Sequence, residues 1–133
     1  MNSSVPAGNA LDLNVGLTAE LRSSVQSAAR GRSLVIDYFA SHRCGPPVGD
    51  LTATFIAEEP GSKYVELDPI EDVRLFVEVR LVPLLAAAGV TLRWAGPTFA
   101  RHLAVVLDRP GLWLEFLDRP GVVTGKGLLG RAR

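Results

Sequence analysis

The sequence predicts an α+β fold with mostly antiparallel β-sheets, one N-terminal helix and one further short helix. Strand-like segments outnumber helical ones along the 133 residues, and they follow one another in pairs. Turns that contain Gly or Pro separate the members of these pairs. This order favours antiparallel sheets over a doubly wound fold, in which strands and helices alternate.

Length and composition are those of one globular domain. Hydrophobic residues make up 47% of the chain and charged residues 21%, and a chain of this length buries about two thirds of the surface that its unfolded form exposes. We expect a flexible N-terminal arm at residues 1–14, a single domain at residues 15–121 and a flexible, Gly-rich basic tail at residues 122–133.

The charge balance argues against partners that need a strong electrostatic field. Lys and Arg number 14, as do Asp and Glu, so we expect no binding to nucleic acid or to a membrane surface. The single cysteine cannot form an intrachain disulfide. The chain shows neither a signal-peptide pattern nor a run of about 18 apolar residues. We therefore expect a soluble cytoplasmic protein.

The first predicted element is a helix that begins after Thr18, a residue type that caps helix N-termini. Gly31 is placed to end this helix. From the residue before Thr18 onward, apolar residues recur at three- and four-residue spacing: Leu17, Leu21, Val25, Ala28 and Ala29.

Two strands should follow as an antiparallel hairpin. Residues 33–40, SLVIDYFA, are rich in β-branched and aromatic types. Residues 50–57, DLTATFIA, alternate in hydrophobicity, as a half-buried strand does. The tip of the hairpin is SHRCGPPVGD, residues 41–50, which contains the cysteine.

A second pair of strands is predicted in KYVELD and VRLFVEV, with a Pro-containing turn between them. The later strand should place Val73, Leu75, Val77 and Val79 on one face, and Arg74, Phe76, Glu78 and Arg80 on the other. Pro83 suits the first turn of a short helix that Gly89 ends. The strand VTLRW follows.

The last ordered part is predicted to contain two more strands, HLAVVL and LWLEFL. The phrase LDRPG joins them and recurs after the second one. Pro110 and Gly111 fit the central positions of a type II turn, in which Gly supplies a positive φ. We interpret the repeat as turn chemistry used twice.

Several of these phrases resemble the HesB/IscA-like family, the A-type iron-sulfur carrier proteins. LTAELRSSVQSAA stands where that family opens with a capped helix, and LVIDYFASHRCG with VGDLTATF is similar to its cysteine-containing hairpin. VRLFVEVRLVPLLAAAGVTLRW resembles its strand, short helix and returning strand, and LWLEFLDRPG its closing strand. The resemblance spans roughly residues 15–121 and implies a HesB-like fold.

The resemblance also implies a metal or cluster site, of which this chain keeps one part. The family binds its cluster through a loop cysteine and a C-terminal Cys-x-Cys. Cys44 matches the loop cysteine, whereas no thiol follows the closing segment. One thiolate cannot hold an iron-sulfur cluster, which needs several soft sulfur ligands. A two-fold dimer could bring together two copies of Cys44 and His42, a set suited to zinc or a [2Fe-2S] cluster.

Other residues have plainer interpretations. Cys44 could also be an activated nucleophile, because Arg43 and His42 would lower its pKa, and His102 is expected at an exposed strand end. Asp37 lies in an apolar strand, so its carboxylate must face solvent or be paired. The aromatic residues Trp94, Phe99 and Trp113 could form a ligand-stacking surface, although packing in the core is the simpler expectation.

We therefore expect a non-enzymatic protein of HesB-like fold whose metal or cluster site is largely lost. It would act by self-association, as a homo-oligomer, or by binding a protein partner, and without a cofactor. Two alternatives stay open. One is a divergent iron-sulfur cluster or metal carrier that uses Cys44, with His42, across a homodimer. The other is a thiol enzyme or small-molecule binder.

Overall fold

The computed structural model describes residues 13–41 and 48–119. In these ranges the chain forms seven strands, three α-helices and a short 3-10 helix, so the predicted α+β class is confirmed. The elements are β1 (Val15–Leu17), α1 (Ala19–Ala29), β2 (Ser33–Ser41), β3 (Val48–Ile56), β4 (Tyr64–Ile70), β5 (Val73–Glu78), α2 (Leu81–Ala88), β6 (Val90–Ala95), the 3-10 helix (Thr98–Ala100), β7 (His102–Leu107) and α3 (Gly111–Leu117).

Helix α1 begins and ends where its sequence predicts. The backbone N–H of Leu21 donates to the Thr18 hydroxyl at 3.4 Å, which satisfies one of the free N–H groups of the first turn. At the other end Arg30 has a φ of 52° and Gly31 a φ of 80°. The Arg32 guanidinium then donates to the carbonyls of the last turn. Each end of the helix is therefore capped by a nearby residue.

The strands form two mixed sheets. The four-stranded sheet has the order β3-β2-β5-β4, and the three-stranded sheet has the order β1-β6-β7. Neighbouring strands are antiparallel in three of the five pairs, while β2 with β5 and β1 with β6 are parallel. The predicted hairpin of β2 and β3 is confirmed, with Ser41 opposite Val48 at its far end.

Strand β1 is an element that the sequence did not predict. Leu17 was assigned to the helix, but it pairs with Leu92 in β6. Three residues are too few to show a hydrophobic period. Their conformation follows from the partner strand, which lies far along the chain.

One face of the four-stranded sheet carries the core. Leu34 and Ile36 of β2 lie beside Leu75 and Val77 of β5, and all four are fully or almost fully buried. All three α-helices contribute buried residues to the same cluster. On the opposite face, Val35 and Phe76 are register partners. Both are buried, but neither belongs to this core cluster. Strand β5 therefore has buried residues on both faces, whereas the alternation of its sequence predicts one face that carries the valines and Leu75.

The turn between β4 and β5 differs from the predicted Pro-containing turn. Pro69 lies inside β4, at an irregularity in the pairing between Leu67 and Ile70. The turn itself consists of Glu71 and Asp72, with φ values of 49° and 67°. Positive φ at both central residues is typical of a type I′ turn, whose twist matches that of the strands. No glycine is present there to signal it.

The segment LWLEFL forms the helix α3, so the predicted last strand is wrong. Pro110 has φ −65° and ψ −22°, and Gly111 starts the helix, so the predicted type II turn is wrong as well. Pro at this position is preorganised for a first helical turn. Helical spacing buries Phe116 and Leu117 together and leaves Leu114 64% exposed. Phe116 contacts the ring of Tyr38, at 5.2 Å between centroids.

Alanine substitutions in α3 should show whether this segment forms a helix or the strand that the sequence predicted. Phe116→Ala is expected to lower the free energy of unfolding by about 3–5 kcal/mol, because it removes a fully buried ring. Leu114→Ala should change it by less than about 0.5 kcal/mol. Urea-induced unfolding measures both. If this segment were a strand, Leu114 and Phe116 would lie on the same face. Equal losses in the free energy of unfolding would therefore contradict the helix.

Candidate functional site

A cavity of about 360 Å³ lies where the parallel strands β2 and β5 end. The carboxyl ends of parallel strands are a common place for ligand sites in α/β sheets. The lining combines two carboxylates, two cations, a tyrosine and two apolar side chains: Asp37, Glu78, Lys63, Arg80, Tyr38, Phe39 and Val79. We call it the strand-end cavity. It has more ionisable side chains in its lining than two other cavities of the described residues, one beside His102 and one beside Arg32.

Asp37 is paired, as its place in an apolar strand required. The Tyr64 hydroxyl donates a hydrogen bond to Asp37 Oδ2, and the backbone N–H of Tyr38 donates to Oδ1 at 2.8 Å. Tyr64 lies on β4, on the far side of β5 from Asp37. Both oxygens of the Asp37 carboxylate are therefore engaged by the protein itself.

The two tyrosines of the chain remain neutral near physiological pH. Burial raises the pKa of Tyr64, and the hydrogen bond to Asp37 and the charges of Asp37 and Glu78 raise it further. Burial also raises the pKa of Tyr38, against the opposing effect of Arg80, which donates to the Tyr38 oxygen at 3.3 Å. Tyr64 is thus a hydrogen-bond donor to Asp37 and not a base.

Glu78 is the one buried charged residue in the described ranges, with 4% of its surface exposed. Its Oε1 accepts a hydrogen bond from the backbone N–H of Arg80 at 2.7 Å. Its Oε2 lies 3.9 Å from Arg80 Nε, which is an ion pair beyond hydrogen-bond distance. A carboxylate without its hydrogen bonds is costly to bury.

Three exposed apolar side chains lie in or near the lining of the cavity. Phe39 is 57% exposed and Val79 47% exposed, and both line the cavity. Val48, 60% exposed, lies on β3 two residues before Asp50, the register partner of Phe39. We call Phe39, Val48 and Val79 the apolar rim.

The cysteine and histidine singled out by the sequence, Cys44 and His42, lie outside the described residues. Residues 42–47 join Ser41 to Val48, so they follow the end of β2 that carries Phe39. Within residues 13–41 and 48–119, no three His, Cys, Asp or Glu side chains are grouped so that they could hold a metal ion.

His102 is exposed at the start of β7, as predicted. It lines a second cavity, of about 350 Å³, between β7 and residues 50–54 of β3. Strand β3, which follows residues 42–47, therefore lies next to β7, the strand that begins with His102.

The aromatic residues Trp94, Phe99 and Trp113 do not form one stacking surface. Trp94 donates to the Ser24 hydroxyl at 2.9 Å and packs against the core. Trp113 stacks on Phe116, at 5.4 Å between centroids. The predicted core packing is confirmed for both tryptophans but is wrong for Phe99, which is 90% exposed.

The sequence did not single out Glu78 or Tyr64. The signal that drew attention to Asp37, a carboxylate in an apolar strand, is also present at Glu78 in VRLFVEV. The alternation of the strand places Glu78 on the face opposite its valines and says nothing about whether that face is covered. A search for charged residues in strands that end near each other would have found it.

Comparison with known proteins adds no relative. No protein-family model matches the chain, and no curated protein is similar enough to count as a match. The resemblance to the A-type iron-sulfur carriers therefore stays a prediction. In the described part of the chain, no helix is both long and apolar enough to cross a membrane.

The titration of the tyrosines tests the geometry of the site. Tyr38 and Tyr64 are the two tyrosines of the chain, so the absorbance of tyrosinate reports on this site. In the folded protein both should ionise above their ordinary pKa of 10.0. In concentrated denaturant both should ionise near about 10.

The same shift predicts how stability depends on pH. Above pH 10 the unfolded chain loses its tyrosine protons first, so the free energy of unfolding should be unaffected by these groups below that pH and fall above it. Tyr64→Phe should make this fall shallower. A tyrosine that ionises at its ordinary pKa in the folded protein would contradict the arrangement.

Proposed function

We propose that the chain is a non-enzymatic protein that acts by self-association, and that the apolar rim is its contact surface. The observation that carries this proposal is the concentration of Phe39, Val48 and Val79 at one end of the four-stranded sheet, each about half exposed or more. Single exposed apolar residues are ordinary, whereas a group of them is typical of interaction sites.

A second copy of the chain suits this surface. A two-fold interface uses the same patch on both subunits, so the patch must be complementary to itself. Phe39 and Val79 of the rim line a cavity that also holds two carboxylates, Asp37 and Glu78, and two cations, Lys63 and Arg80. A surface with apolar groups and both signs of charge meets this requirement.

The strand edges are poorly suited to association. Strand β4 carries Pro69 and an irregular pairing, and Glu66 and Asp68 add charge to that edge. These features block pairing with another strand. Strand β1 has three residues, and β3 and β7 lie beside each other. Contact through side chains of the rim is therefore favoured over edge-to-edge pairing.

The chemistry of the strand-end cavity supports a binding role over catalysis. A general base must take a proton from the substrate, with a pKa near the working pH. A hydrogen bond from the protein holds each oxygen of Asp37, and the raised pKa of Tyr64 keeps its proton in place. Asp37 and Tyr64 are therefore better suited to fixing the shape of the cavity than to transferring a proton.

A metal or iron-sulfur carrier is the second candidate, and one observation favours it. Residues 42–47 leave and rejoin the sheet at Ser41 and Val48, beside the apolar rim. A dimer through the rim would bring the two copies of this segment to the same interface. Cys44 and His42 from both subunits would then supply the four ligands that one chain lacks.

Sedimentation equilibrium of wild type and rim variants tests the proposal. Wild type should dimerise reversibly. Phe39→Ser removes a ring from each half of the interface. Because the ring is 57% exposed in the subunit, each copy contributes about half of the 1.5–3 kcal/mol of full burial, so the dissociation constant should rise by at least about tenfold. Phe99→Ser is the control, because Phe99 is more exposed than Phe39 but lies outside the rim.

The outcomes separate the candidates. A wild type that stays monomeric at all concentrations overturns self-association, and a dimer that tolerates Phe39→Ser overturns the rim. Iron and zinc are measured in the same dimer fractions after reconstitution. Metal that is present in wild type and lost in Cys44→Ser would favour the carrier.

A further inference from the structure

Glu78 Oε2 is a buried acceptor that the described residues leave without a hydrogen bond. The residue is 4% exposed and lines the strand-end cavity. The nearest cation, Arg80 Nε, is 3.9 Å from Oε2, and the other oxygen of the carboxylate is bonded to a backbone N–H. A carboxylate can accept about four hydrogen bonds. The lining of the cavity therefore includes a carboxylate oxygen with capacity for a further donor.

Lys63 lies on the same surface and has no carboxylate partner in residues 13–41 and 48–119. Its ammonium group contacts the face of the Tyr64 ring, at 5.4 Å from the centroid. Its carbonyl accepts the backbone N–H of Val79 at 2.8 Å, which ties Lys63 to the apolar rim. The next residue, Tyr64, is the register partner of Glu78. A cation with no carboxylate partner in the described residues thus lies next in sequence to the register partner of Glu78, whose Oε2 has an ion pair with Arg80 but no hydrogen bond.

We infer that the occupant of the strand-end cavity is Lys63 of a second copy of this chain. Its ammonium group donates to Glu78 Oε2, and the symmetric contact forms at the same time. The inference rests on the proposed self-association and adds the residue that each subunit inserts into the other. Both groups line one cavity, so a two-fold axis at its mouth brings each Lys63 to the opposite Glu78.

The physical basis is the cost of leaving Glu78 unsatisfied. A hydrogen bond to a buried charged group is stronger than one between neutral groups. The apolar rim excludes water around the pair, as residues around the centre of an interface do. The dimer would therefore be held by two desolvated ion pairs at the centre of two sets of apolar contacts.

Two near-isosteric variants test the pair. Lys63→Met keeps the length of the side chain and removes its charge, and Glu78→Gln keeps the shape and the acceptor to the Arg80 N–H. Each breaks both symmetric pairs, so each should raise the dimer dissociation constant by about a hundredfold, at about tenfold a pair. Lys126→Met removes the same charge from the only other lysine and should leave the constant unchanged.

A mixture of the two variants gives a readout that a folding defect would not. The heterodimer of Lys63→Met with Glu78→Gln retains one intact pair, whereas each homodimer retains none. Sedimentation of the mixture should therefore show tighter association than either variant alone, by about tenfold in the dissociation constant. Lysine acylation followed by mass spectrometry should show Lys63 protected in the wild-type dimer and reactive in Glu78→Gln.

The failures are distinguishable. A monomeric wild type overturns the self-association and this inference with it. A dimer that Phe39→Ser weakens, but that tolerates both Lys63→Met and Glu78→Gln, leaves the apolar rim in place and overturns the ion pair. If Glu78→Gln weakens the dimer and Lys63→Met leaves it unchanged, Lys63 is not the inserted group.

Discussion

The parallel pairing of β2 with β5 is the constraint on which the rest of the structure depends. It sets Leu34 beside Leu75 and Ile36 beside Val77, and these four residues anchor the core. Because β3 and β4 flank this pair, the central strands have neighbours on both sides. Parallel strands also end together, so Asp37 of β2 and Glu78 of β5 line one cavity. The pairing that makes the core thus also concentrates charge at one end of the sheet.

Burial of Glu78 lowers the stability of the isolated subunit, because one carboxylate oxygen receives no hydrogen bond from the described residues. A Leu or Val at this position would pack without that cost. Partial satisfaction is a disadvantage for folding alone, whereas it favours any partner that brings a donor. Exposure of the apolar rim works in the same direction, since Phe39 and Val79 lose contact with water only when something covers them. Both features favour a bound state over an isolated one.

Local chemistry explains which elements the sequence predicted. The Thr18 cap, the alternation in β3 and the Gly89 stop each depend on a few adjacent residues. Strand β1 and helix α3 depend on distant ones. Leu112, Leu114 and Phe116 alternate as in a strand, while Leu112, Trp113, Phe116 and Leu117 have helical spacing. Contact with Tyr38 on β2 selects the helix, and no short window of sequence contains that contact.

The candidate site shows the same division between local and distant information. The sequence predicts that Asp37 either faces solvent or is paired, and it cannot identify Tyr64, which reaches Asp37 from a different hairpin. For Glu78, alternation predicts which side the residue faces, not whether neighbouring strands cover that side. In an edge strand a glutamate at this position would be solvated. In β5, between β2 and β4, it is buried, and strand order therefore decides whether this carboxylate is a surface charge or a buried one.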